Sequence, residues 1–291
     1  MKIKKKLLII GNGTVTQHFI NNFHPYFTAI YATSRQCQHP VSTKKMTRIP
    51  FNNNALEVAL ADSTHLIIST PPDCTGNDPS IEMLKKLLKK NQPHLRWVGY
   101  LSATSVYGQH HGKWVDESSE ALQPHEKGIV RARIEQQWQS LCHTHHLDCF
   151  IFRIAGIYGP HHCALDRVLR TGYQTIIAKN QRFSRIHITD LIESLLRTIL
   201  LPVSPGIYNL SDDLPATTAD CDLFAAKLLH RKVASIPLEK AALSDQQKSF
   251  FDYSKRVDNN KIKKIFQISW QHPTYQHGLT KIFNEKFRNK D

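Results

Sequence analysis

The stretch that decides the fold is LLIIGNGTVT, Leu7–Thr16. Its four apolar residues, Leu7 to Ile10, suit one short buried strand. They stop at Gly11-Asn12-Gly13, and the segment from Thr16 to Phe23 then reads as a helix that ends near His24-Pro25. Strand, glycine turn and helix in that order make the place where a dinucleotide pyrophosphate sits. Gly11 permits the tight turn, Gly13 lets the backbone approach the anion, and the helix N-terminus attracts it. The third position of the fingerprint favours Gly or Ala for close helix–strand packing, and here it is Thr16. That departure leaves the anion-binding part intact. Gly11, Asn12, Gly13, Thr14 and Val15 are therefore expected cofactor contacts, against the alternative of a tight turn that binds nothing.

Working outward, FTAIYATS (27–34) is aromatic and β-branched and reads as the second strand. An NAD site wants a carboxylate at the end of this strand for the ribose 2′-hydroxyl. No Asp or Glu occurs from Phe19 through Ala55, and the strand ends in Ser34-Arg35. A hydroxyl and a cation suit a 2′-phosphate, so NADP is expected ahead of NAD, with a plain surface arginine as the alternative. ALEVALADS is then a helix, HLIIST a strand, and Pro71-Pro72 a hard stop. SIEMLKKLLKK (80–90) places Ile81, Leu84, Leu87 and Leu88 on one helical face. LRWVGYLSA is a strand, GIVRARIEQQWQSLC (128–142) a helix, and LDCFIFRIAGIYG (147–159) a strand that runs into a loop.

Alternating strands and helices, with near-continuous apolar strands, predict an α/β fold: a Rossmann-type doubly wound parallel sheet. Ligands bind at the carboxyl ends of such strands. The informative residues are thus 11–16, Ser34-Arg35, Ser69 to Pro72, Ser102 to Ser105 and Arg153 to Pro160. Thr70, Pro71, Pro72, Ser102 and Ala103 join the expected cofactor contacts.

The 291 residues are 41% hydrophobic and 21% charged, which is ordinary globular composition. No apolar run approaches the ~20 residues that cross a bilayer, so no membrane partner is expected. The basic lead-in MKIKKK reads as the approach to a buried strand and not as a leader. Six cysteines are scattered without CxxC spacing, which fits reduced thiols in a cytoplasmic protein. The formal charge of +14 raises affinity for polyanions. A phosphorylated cofactor is one candidate and nucleic acid a distant one. The lysine clusters at 4–6, 85–90 and 261–264 lie in separate segments, without the interleaved aromatics of a nucleic-acid module.

GNGTVT, IISTPPD, YLSATSVYG, RIAGIYGP, RIHITDLIESLL and GIYNLSDD occur in an order and spacing that resemble the extended short-chain dehydrogenases/reductases. The atypical NAD-dependent epimerase/dehydratase-like branch is the nearest likeness. The resemblance implies an NADP-binding Rossmann domain over 1–160 and 184–204. It implies a smaller C-terminal substrate domain over 161–183 and 205–291.

Family chemistry, as the resemblance implies it, uses a Ser or Thr hydroxyl and a Tyr-x-x-x-Lys pair. The ammonium lowers the phenol's pKa and holds the nicotinamide ribose, and the phenolate moves a proton while hydride passes. This sequence lacks that set. There is no Tyr between Tyr107 and Tyr158 and no Tyr-x-x-x-Lys anywhere. Aligned on Pro124 and Glu135, Lys127 takes the Tyr position and Arg131 the Lys position. Counting back from Tyr107 puts Ala103 at the hydroxyl position.

Lys127, Arg131 and His162 are then the weak catalytic candidates, with Arg131 also a cation for ribose or phosphate. Thr104, Tyr107, His161 and His162 are the expected substrate contacts, against loop residues that face water. Asp116-Glu117 is a second carboxylate pair, often structural in the family. CHTHH (142–146) reads as a helix end rather than a metal site, Asp190 as a helix cap or hinge, and no metal is expected. The resulting expectation is an NAD(P)-binding reductase, epimerase or dehydratase-like protein for a small polar or sugar-nucleotide substrate, with homodimerisation allowed. Its alternative is a non-catalytic dinucleotide-binding sensor or scaffold.

Overall fold

The structure, a computed structural model, describes residues 5–88, 94–122, 125–244, 247–248 and 251–288. Lys4, Lys89, Lys90 and Pro124 lie outside these. In chain order the strands are β1 (Lys6–Ile10), β2 (Ala29–Ser34), β3 (Val41–Ser42), β4 (Thr47–Pro50), β5 (His65–Ile68), β6 (Trp97–Ala103) and β7 (Trp114–Val115). There follow β8 (Asp148–Ile154), β9 (Gly156–Tyr158), β10 (Gln174–Ile177), β11 (Arg185–His187), β12 (Gly206–Leu210), β13 (Ala234–Pro237) and β14 (Arg256–Val257). The helices that matter below are α1 (Thr14–Phe23), α2 (Asn53–Asp62), α3 (Pro79–Leu88) and α4 (Glu126–Thr144).

Eight strands form one sheet in the order β12-β8-β6-β5-β1-β2-β4-β3. Pairing is parallel from β6 through β5, β1 and β2 to β4, and the short β3 runs antiparallel on the edge. The expected α/β parallel sheet is therefore present. Its central strand, β1, pairs with β2 on one side and β5 on the other, Leu8 lying against Tyr31 and Leu66. The strand order reverses between β1 and β5, and that reversal opens the crevice in which such sheets take ligands.

Both faces of the sheet are buried, which explains the unbroken apolar strands. Leu8, Ile10, Leu66, Ile68, Val98 and Tyr100 share one core with Leu56 and Leu60 of α2, Ile81 and Leu84 of α3, and Ile134 and Trp138 of α4. Leu7 and Ile9 point the other way and are equally buried. Helix α3 begins where Asp78 accepts the Ser80 N–H at 2.9 Å, with Pro79 as its first residue. The same Asp78 accepts Trp138 Nε1 at 2.9 Å, so a helix start is locked to α4.

The chain forms two compact units. The first is Met1–Val106, Glu126–Arg153 and Ile192–Tyr208; the second is Tyr107–His125, Ile154–Leu191 and Asn209–Asp291. Residues 107–125, 154–160 and 184–191, expected with the Rossmann part, group with the second unit. Backbone pairing is the reason. Strand β7 pairs with β14, β9 pairs with β11, and Gly112 donates its N–H to the Ser254 carbonyl at 2.9 Å. The second unit's core gathers Tyr158, Leu165, Val168, Cys221, Ala225, Leu279 and Ile282. Among the described residues, no helix is long and apolar enough to cross a membrane.

Candidate active site

The cradle at the end of β1 is made of backbone. Gly11 sits at φ +103°, and a Cβ there would lie 2.6 Å from Ser69 Oγ, so only glycine fits. Its N–H is fixed by Thr33 Oγ1 at 2.9 Å. Gly13 is the N-cap of α1 and has open space where a side chain would stand. No side chain caps the helix and its first turn carries no acid, so the N–H groups there face outward and suit an anion.

Thr16, the departure from the fingerprint, is buried. Its Oγ1 donates back to the Gly13 carbonyl at 3.0 Å, which folds the hydroxyl into the turn. The side chain that looked like a defect thus braces the cradle. Asn12 accepts from the Gln17 side chain, while Thr14 is exposed and Val15 half-buried. Across the β1/β5 reversal stands Thr70, whose buried Oγ1 has no partner. An uncapped helix turn, an open glycine and an orphan hydroxyl together fit a pyrophosphate. Pro71 is exposed and Pro72 half-buried just beyond.

At the end of β2, Ser34 is half-buried and Arg35 exposed. Among the described residues no carboxylate forms an ion pair with Arg35.

At the end of β6, side chains do different work. Ser102, 3% exposed, donates to Glu135 Oε1 at 2.5 Å. Glu135, 2% exposed, also takes Arg153 through Nη2 at 2.8 Å and Nε at 3.2 Å. The expected cofactor hydroxyl is therefore turned inward to a buried ion pair. Ala103 and Thr104 follow, both half-buried, with no catalytic-position hydroxyl at 103.

Lys127, Arg131 and Glu135 lie four residues apart and share one stripe of α4. Glu135 meets Ser102 on β6. Burial pushes the Tyr100 hydroxyl upward in pKa, and the Arg131 guanidinium beside it pulls the other way. Tyr100 and Ser102 are two apart, on one face of the strand. The stripe thus runs along β6, with exposed Lys127 at its N-terminal end.

In the second unit, Tyr107 is 1% exposed and donates its hydroxyl to Asn209 Oδ1 at 2.6 Å. That bond corrects the expectation of a substrate contact, since the phenol is committed within the unit. The Gly159–His162 turn is closed by backbone bonds in both directions and leaves His161 and His162 exposed. His162 lines a cavity of about 450 Å³ with Gly156, Tyr158, Cys163, Arg185 and Phe251; His161 does not. Arg185 is held by the carbonyls of Phe183 at 2.8 Å and Ala216 at 2.9 Å. Burial pushes the Cys163 thiol up, so it is no activated thiolate.

Asp116 closes a turn on Ser118 and Ser119, and Glu117 accepts the Asn209 N–H at 2.8 Å. Both are structural here. Asp190 lies in the first turn of the helix Ile188–Leu200 and does not cap it. Its carboxylate takes the N–H groups of Gln271 at 2.7 Å and His272 at 3.1 Å, and it is His187, just before the helix, whose Nδ1 accepts the Thr189 N–H. His187, Asp190 and His272 are the one described group with metal-like proximity, and these hydrogen bonds already engage it.

The Ser102–Glu135–Arg153 network is not visible in the sequence, because its members are 33 and 18 residues apart and lie in three separate segments.

No protein-family model matches the chain, and no curated protein matches it in sequence. Solved structures do. A functionally unknown conserved protein from Silicibacter pomeroyi is 31% identical, with TM-score 0.84 over 97% of this chain and 99% of that one. A dTDP-glucose 4,6-dehydratase from Bacillus anthracis in complex with NAD is 15% identical, with TM-score 0.76 over 98% and 97%. A UDP-glucuronic acid 4-epimerase from Bacillus cereus in complex with UDP-glucuronic acid and NAD is 15% identical, with TM-score 0.75 over 96% and 98%. The fold is accordingly that of the NAD-dependent epimerases and dehydratases. Within it, the chain belongs to the same family as the Silicibacter protein.

Proposed function

We propose that this chain is a dinucleotide-binding protein of the reductase/epimerase/dehydratase type, preferring NADP and acting on a small polar or sugar-nucleotide substrate. The observation that carries the reading is the Gly11–Thr16 cradle, with its uncapped helix turn and the orphan Thr70 hydroxyl across from it. Gly11, Asn12, Gly13, Thr14 and Val15 would hold the pyrophosphate. Ser34 and Arg35 would take a 2′-phosphate, since the unpaired guanidinium is a bidentate phosphate partner. Bound NADP would supply hydride exchange. Arg131, on the β6-facing stripe of α4, would offer a fixed cation to its ribose or phosphate. Nucleotide-sugar substrates are supported by the two NAD-bound relatives named above and by the cavity lined by His162 and Arg185.

A second reading is a non-catalytic sensor or scaffold. It is favoured by Ala103 at the hydroxyl position and by Ser102 being bound to Glu135. Thermal shift with each nucleotide tests both readings. NADPH raises Tm more than NADH, and Arg35→Ala abolishes the difference. If neither nucleotide moves Tm, the cofactor assignment falls. Hydride transfer assayed with a panel of nucleotide sugars then separates enzyme from sensor.

A further inference from the structure

We propose that the second unit carries a separate binding site for a small organic phosphate bearing two or more phosphate groups. The site is a hollow of about 700 Å³ where the segments 109–113, 178–182 and 251–256 meet. That volume is within the ordinary range for small-molecule sites. Lys113, Lys179, Arg182 and Arg256 line it together with His111, and Glu239 is the one lining carboxylate. With histidine neutral, the lining carries a net charge of three positive.

These cations are not balanced elsewhere. Among the described residues none of Lys113, Lys179, Arg182 and Arg256 forms an ion pair. Three other cations of the unit do have counter-ions: Arg167 with Asp222 at 2.7 Å, Lys263 with Asp213 at 2.6 Å and Lys286 with Asp166 at 2.9 Å. Four like charges gathered on one concave wall repel each other, and the concavity concentrates their field. A multiply charged anion relieves that repulsion, whereas an apolar or cationic ligand does not.

The wall is built and not a chance meeting of loops. Ser254, 6% exposed, ties the three segments together. Its Oγ donates to the Asn180 carbonyl at 2.9 Å and accepts the Arg182 N–H at 2.8 Å. Its N–H goes to Gln109 Oε1 at 2.9 Å, and its carbonyl takes the Gly112 N–H at 2.9 Å. The Arg256 N–H binds the Lys113 carbonyl at 2.9 Å. Arg182 Nη1 is steadied by the carbonyls of Lys179 at 3.1 Å and Gln181 at 2.8 Å. The guanidinium is thereby held at the wall before any ligand arrives, so less ordering entropy is lost on binding. None of these residues belongs to the Gly11 cradle.

Calorimetric titration of the full chain with inorganic pyrophosphate, in saturating NADPH and low salt, tests the site. One equivalent is expected to bind, weakening as salt rises. Lys113→Ala/Lys179→Ala removes two exposed side chains and leaves Tm unchanged. It is expected to weaken binding about tenfold, which corresponds to about 1.4 kcal/mol. Arg256→Ala weakens it further and Arg256→Lys restores part of the loss. The proposal is overturned if no stoichiometric binding occurs, if these variants bind as wild type does, or if only an oligonucleotide binds and pyrophosphate does not compete.

Discussion

The ends of β1 and β6 lie in the same sheet, and they are built from different materials. At β1 the proposed ligand contacts are backbone N–H groups, and the side-chain requirement is chiefly absence: no Cβ at Gly11, none needed at Gly13. At β6 the chemistry that the sequence resemblance implies would come from side chains, and the corresponding positions hold Ala103 on the strand and Lys127 and Arg131 on α4. The hydroxyl of Ser102 serves Glu135, which also holds Arg153. A backbone site tolerates change in its neighbours, as Thr16 shows by bracing the turn in place of a small residue. A side-chain site changes its chemistry with each substitution. Cofactor binding and catalysis can therefore part company within one fold, because function resides in the site.

The comparison breaks most visibly at Glu135. Glu135→Ala would leave Arg153, whose side chain is 13% exposed, without its counter-ion and Ser102 without its acceptor. Removing one partner of a buried pair costs about 3–5 kcal/mol. Urea unfolding is expected to show a loss of that size. A loss below about 1 kcal/mol would mean that the network does not hold the end of β6.

Next in size is the contrast between the two glycines. Gly11→Ala must adopt φ +103° with its Cβ against Ser69, and about 2–3 kcal/mol of stability is expected to go. Gly13→Ala has open space and an ordinary φ of −88°, so it costs under about 1 kcal/mol. Its methyl stands where the anion would approach, and the rise of Tm with NADPH is expected to shrink sharply. An unchanged rise in Gly13→Ala would refute the cradle.

Much of this was legible in the sequence, for reasons that particular residues make plain. Leu7–Ile10, Gly11 and Gly13 are contiguous, so strand, turn and helix announced themselves. The stripe 127-131-135 follows helical spacing and could be aligned. The fate of Ser102 could not be read, since it depends on Glu135 and Arg153 arriving from two other elements. The role of Tyr107 is hidden for the same reason: Asn209, which accepts its hydroxyl, is 102 residues away. The basic hollow is equally hidden, its cations being split among three segments that Ser254 and backbone bonds such as Arg256 to Lys113 bring together.

The smallest expected effect sharpens the comparison from the catalytic side. Ala103→Ser restores a hydroxyl at a half-buried strand end and should move stability by less than about 0.5 kcal/mol. It should not raise hydride transfer above the wild-type rate. A lone hydroxyl can position a substrate oxygen, but it has no proton acceptor while Lys127 occupies the phenol position and Arg131 the ammonium position. Arginine stays charged at any working pH and so cannot take over proton transfer. The triple change Ala103→Ser, Lys127→Tyr, Arg131→Lys supplies all three roles along the stripe that faces β6. Turnover appearing only in the triple variant, with a nucleotide sugar and NADPH or NADP, would show that the frame is intact and the side chains alone were missing. Turnover in Ala103→Ser by itself would place a proton-transfer group elsewhere in the chain, and the contrast between the two strand ends would then fail.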